Sequence, residues 1–144
     1  MQVSVFDVAA YILKKCGLMT TMKLQKLIYY CQAWSLVWDE EPIFKEPIEA
    51  WASGPVVRRL YDCHRGKFKI RTCAPGNPEH LTDTQKDTIN AVLKYYGDKK
   101  SQWLSDLTHS EDPWKLARKG LGPSDRGDKV ITHAGMMEYY SSLD

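Results

Sequence analysis

One helical pattern held between two stops constrains this chain more than any other feature. Residues 20–42 read TTMKLQKLIYYCQAWSLVWDEEP. Leu24, Leu27, Ile28, Cys31, Trp34 and Trp38 recur at helical spacing, so the segment reads as an amphipathic helix whose Leu-, Ile- and Trp-rich face anchors the core. Thr20 or Thr21 caps its start, because a hydroxyl there accepts from an orphan backbone N–H. Asp39-Glu40-Glu41-Pro42 ends it, since Pro42 has no donor and restricts the residue before it.

Other helices follow from local chemistry. Ser4 caps a first helix with Asp7 at its third position, where a carboxylate favours the positive end of the helix dipole, and Gly17 stops it. Gly54-Pro55-Val56 reads as a helix start with Ser53 or Gly54 as cap and Pro55 at the first helical position. That helix closes at Cys63-His64-Arg65-Gly66. Residues 72–80 read as a loop, rich in Pro and Gly. Thr82 and Gln85 make a capping box for the next helix, which Gly97 ends. A short helix spans Ser101–Leu107, Asp112 and Pro113 begin another, residues 120–128 form an exposed mobile loop, and a terminal helix carries Met136, Met137, Tyr139, Tyr140 and Leu143. Residues 43–51 permit a short edge strand or extended loop, and Lys67-Phe68-Lys69-Ile70-Arg71 alternates as a half-buried strand should. Pairing of these two pieces is the expected β element. The fold expected is therefore mainly α: a compact single helical domain over residues 1–144 with a small β-hairpin-like element.

Composition sets limits on class. At 144 residues, 43% hydrophobic and 26% charged, the chain fits one ordinary globular domain. No stretch approaches the roughly 20 apolar residues that span a bilayer, and the first 17 residues lack a leader's pattern, so a cytoplasmic location and no membrane partner are expected. Cys16, Cys31, Cys63 and Cys73 include no CxxC, and neither a metal site nor another cofactor is expected.

Three boxes carry a resemblance. Lys23-Leu24-Gln25-Lys26-Leu27-Ile28-Tyr29-Tyr30, then Ile48-Glu49-Ala50-Trp51-x-x-Gly54-Pro55-Val56, then Leu104-Ser105-x-Leu107-Thr108-His109-x-x-x-Pro113-Trp114 together resemble the Panacea domain. That family includes SocA-like antitoxins and phage-associated proteins of the GepA type. The resemblance covers nearly the whole chain. It implies a toxin–antitoxin system in which this chain binds and neutralises a cognate protein toxin encoded beside it, and it implies no known active site. A SocA-like alternative is a proteolytic adaptor that delivers the toxin to a protease or its unfoldase.

Residue chemistry points the same way. His109, with Thr108 and Asp112 nearby, lacks a convincing nucleophile to serve as general base for, so a non-enzymatic protein is expected with no catalytic residues. Its plainer role is to satisfy backbone groups at a helix junction. The net charge of +2 is too small to argue for nucleic acid. A basic run from Arg58 to Arg71, with Tyr61 and Phe68 interleaved, leaves nucleic-acid binding and regulation of its own operon open but not favoured. Acidic residues from Asp39 to Glu49 precede that run, giving opposite fields on either side of Trp51, which suits orientation of a charged protein partner. Five Trp and eight Tyr are many for this length, and Trp51, Trp114, Tyr29, Tyr30 and the Met136–Tyr140 patch exceed what one small core requires. The residues expected to contact the partner are Trp51, Gly54, Pro55, Thr108, His109 and Trp114, where two helix starts and their aromatics converge.

Overall fold

Seven α-helices and two small antiparallel sheets make up the computed structural model, which describes residues 2–144; Met1, the first residue of the segment read for a leader, lies outside it. The centre is α2, Thr21–Trp38. Thr20 Oγ1 accepts from Lys23 N at 3.0 Å and caps it, as its hydroxyl chemistry predicts. The expectation of one apolar face is corrected: every residue from Leu24 to Ala33 is buried. Helices α1 (Val5–Cys16), α4 (Asp83–Tyr96), α5 (Ser101–Ser110) and α7 (His133–Ser141) all pack on α2. Burial of its polar residues is possible because some find backbone partners. Gln32 Oε1 accepts from Ile43 N and Phe44 N at 2.9 and 3.3 Å, and its Nε2 donates to Phe44 O at 2.7 Å. Each fully buried Leu or Ile adds about 1.5–3 kcal/mol. Trp38, on the expected stripe, is instead 43% exposed.

The stop after α2 falls where Asp39 to Pro42 place it, but Pro42 is not the reversing residue. Asp39 N donates to Ser35 O at 2.8 Å, and Glu40 then turns the chain with a left-handed φ of 57°. At the other end, α1 is fixed by Asp7, whose carboxylate accepts from Ser4 N at 2.9 Å and Asn77 N at 2.8 Å. Residues 72–80 pack on this helix with a 3-10 turn at Pro78–His80. Gly76 is required there, because a Cβ would lie 1.9 Å from Phe6 O.

The β pairing differs from expectation. β2 (Glu49–Trp51) pairs with β3 (Gly54–Val56), and β1 (Met19–Thr20) pairs with β4 (Lys69–Ile70). Residues 43–51 and 67–71 therefore do not pair with each other. The cause is the turn at Ala52-Ser53, followed by Gly54 at φ 122°, which returns the chain at once. Gly54-Pro55 is accordingly a hairpin strand and not a helix start. Helix α3 begins later, at Arg58–Cys63, because the Gln25 carboxamide accepts from Val57 N at 2.9 Å and donates to Val57 O at 3.3 Å. Residues 129–131 run along the outer edge of β2, with Ala50 N donating to Lys129 O and Ile131 N to Ile48 O, both at 2.8 Å.

Two further expectations shift. α5 extends through Ser110, so Thr108 and His109 sit on a helix, and Glu111 rather than Asp112 occupies the cap of α6 (Asp112–Ala117). Tyr29, Tyr30, Met136 and Tyr140, assigned above to surplus aromatic surface, are buried core. The fold class itself is as expected, mainly helical with minor β structure. None of the described helices is long and apolar enough to cross a membrane.

Candidate partner-binding site

The hairpin places Gly54 directly over Lys26 of α2. A Cβ on Gly54 would lie 2.6 Å from Lys26 Cε and 3.4 Å from Thr108 Oγ1, so no larger residue fits without displacing the amine. Lys26 is fully buried; its Nζ donates to Met22 Sδ at 3.4 Å and Pro55 O at 3.5 Å. None of the ion pairs among the described residues includes it. Burial without a counter-charge pushes the Lys26 amine down to about 7.

The α5–α6 corner closes on the same hairpin. Trp114 Nε1 donates to Trp51 O at 2.8 Å, and the His109 ring stacks on Trp114 with centroids 4.2 Å apart. Thr108 Oγ1 donates to Ser105 O at 2.9 Å, within its own helix. Burial first, then the Lys26 charge, hold His109 below the ordinary imidazole value, while the backbone of Ser53 pulls it up. His109 Nε2 is buried without a hydrogen-bond partner, a condition shared among the described residues by His64 Nε2. The expectation that His109 satisfies backbone groups is therefore met at most by its Ser53 contact, and its larger role is the stack on Trp114.

All six expected residues thus converge on one cluster. Gly54, Pro55 and Thr108 lie buried inside it, whereas Trp51, His109 and Trp114 retain partial exposure. Arg118, which sequence reasoning missed, locks the neighbouring loop in place. It donates to Ala50 O at 3.1 Å, Gly122 O at 2.9 Å and Asp125 O at 2.7 Å, and its guanidinium lies over the Trp114 ring. Lys26 was also missed as a member of this cluster. A charged residue between Leu24 and Leu27 reads from sequence as a solvated position.

The first and third boxes also meet, through a buried tyrosine network. Tyr30 Oη donates to Glu111 Oε1 at 2.6 Å and Tyr140 Oη donates to the same oxygen at 2.8 Å. Tyr29 and Tyr140 hydroxyls lie 3.0 Å apart, so Tyr29 donates to the oxygen that Tyr140 leaves free. Burial raises the Glu111 carboxyl above its ordinary value, and the two tyrosine bonds restrain that rise.

Two grooves flank the hairpin turn. One lies against loop residues 124–128 and includes Arg58, Arg126 and Asp128. The other lies between the turn, the end of α3 and the β1–β4 sheet, and includes Met22, Trp51, Tyr61, His64 and Phe68. On the hairpin itself, Arg58 pairs with Glu49 at 2.9 Å and covers the Trp51 ring.

No curated protein and no solved structure matches the chain. A family model described as "Antitoxin SocA-like, Panacea domain" matches residues 24–115, from the centre of the fold through the hairpin to the α5–α6 corner. These residues contain nearly all of the three boxes and the contacts that join them, and the chain belongs to the SocA-like Panacea domain family of antitoxins.

Proposed function

We propose that this chain is a cytoplasmic antitoxin that acts by binding, without chemistry of its own, and holds inactive a protein toxin encoded beside it. The observation that carries this reading is the match of residues 24–115 to the SocA-like antitoxin family. The hairpin supports it physically. A rigid turn backed by buried side chains, with Trp51, His109 and Trp114 partly exposed around it, offers pre-organised aromatic surface of the kind that anchors protein interfaces. Gly54, Pro55 and Thr108 hold that turn in place rather than offering surface.

Co-expression with each neighbouring gene tests the reading. A neighbour that is toxic alone, harmless with this chain and co-eluting in size-exclusion chromatography is the expected result. Separate elution with undiminished toxicity overturns it. Rescue accompanied by disappearance of the toxin assigns the adaptor mode instead. His109→Ala then localises the interface: weakened complex formation at an unchanged melting temperature marks His109 as a contact, and a lowered melting temperature marks it as scaffold.

A further inference from the structure

Among the surfaces beside the hairpin, the groove along the C-terminal end of α3 combines room, charge and an unsatisfied buried nitrogen. Its volume is about 490 Å3, inside the ~300–1,000 Å3 range of clefts that hold ligands. Phe68 stands at its rim 74% exposed, with Tyr61 and Met22 also exposed. The segment from Arg58 to Arg71 carries six cations and one acid, Asp62. Arg58 is taken by Glu49, and Arg65 makes only an exposed pair with Asp62, of little energetic weight. Lys67, Lys69 and Arg71 are exposed and belong to none of the ion pairs among the described residues. His64 lines the same groove at 7% exposure, and its Nε2 has no hydrogen-bond partner among the described residues. A buried polar atom left without a partner is uncommon in a folded protein.

We propose that this groove is the docking surface for an acidic, extended segment of the partner protein, seated with a large apolar side chain against the exposed face of Phe68. The proposal rests on the antitoxin reading for the source of that segment. Carboxylates of the segment meet Arg65 and Lys67. A protein segment is favoured over single-stranded nucleic acid by the state of the rings. Trp51 and Tyr61 lock edge-to-face at 4.8 Å, and each is already covered by a guanidinium, Arg58 over Trp51 at 5.1 Å and Arg65 over Tyr61 at 5.7 Å. Base binding needs free aromatic faces in series, and here Phe68 alone is widely exposed.

The test pans a random peptide display library on the full chain and measures the enriched peptides by fluorescence anisotropy. Enrichment of Asp- and Glu-rich peptides carrying a Phe, Trp or Leu is expected. Arg65→Glu with Lys67→Glu weakens them at least about tenfold, and Phe68→Ala does so separately. All three side chains are exposed, so both variants melt as the wild type does. Absence of enrichment, neutral or basic peptides, or binding that ignores these substitutions overturns the proposal. So does a single-stranded DNA oligonucleotide that displaces the peptides and is lost in the same variants. Growth rescue separates this inference from the antitoxin reading. A variant that loses peptide binding yet neutralises the toxin at wild-type potency overturns the groove alone. If no neighbour is toxic, the antitoxin reading fails while the peptide measurement still decides the groove.

Discussion

Burying an amine with no carboxylate beside it costs free energy that falls away as the amine loses its proton, and Lys26 occupies such a position. With the folded value near 7 and the unfolded value near the ordinary ~10.4, the unfolded chain holds a proton that the folded chain has released. Stability therefore rises with pH above 7, by about 1 kcal/mol between pH 7 and 8. The opposite contribution comes from Cys31 and Cys73, whose thiols burial pushes up, and it begins only where unfolded thiols ionise, near ~8.5. Urea unfolding at pH 7 and 8 checks this: the wild type gains stability and Lys26→Met, which removes the amine at similar volume, does not. An equal rise in both proteins would assign the effect to another group.

The elements divide by how local their causes are. Glu40 is exposed and left-handed, a conformation that costs a side-chain-bearing residue about 1 kcal/mol or more and glycine little. Glu40→Gly is expected to raise stability by about 0.5–1 kcal/mol in thermal or urea unfolding; a loss would mean the Glu40 side chain holds the turn. Caps such as Thr20 with Lys23, and Thr82 with Gln85, were legible in the sequence because both partners lie within three residues. Gly54-Pro55 was not, since the same dipeptide suits a helix start and a hairpin. The deciding groups are Gln25 and Lys26, distant in the chain: Gln25 bonds Val57 across 32 residues. The six site residues were expected to meet through two helix starts, whereas they meet through a hairpin and a helix corner, and the Trp114–Trp51 bond that joins these spans 63 residues and was not legible. Nor was the burial of Tyr29 and Tyr30, because a tyrosine suits core and interface equally until its hydroxyl partner is known.

Across the whole molecule, the tyrosine–glutamate network joins segments that no helix could hold alone: α2, the α5–α6 corner and α7. Tyr140→Phe deprives Glu111 of one donor and Tyr29 of its acceptor at once. The expected cost is about 2 kcal/mol, read as a lower urea midpoint with an unchanged m-value. A change below about 0.5 kcal/mol would mean that water replaces the hydroxyl. The order in which these groups are made has its own consequence. Synthesis runs from the N-terminus, so Tyr29, Tyr30 and Glu111 leave the ribosome before Tyr140, and Ile48 and Ala50 leave before residues 129–131 cover them. The interior cannot be sealed until residues 129–131 and Tyr140 have been delivered. Newly made copies thus pass through an interval in which core segments are open to proteases that the finished fold excludes.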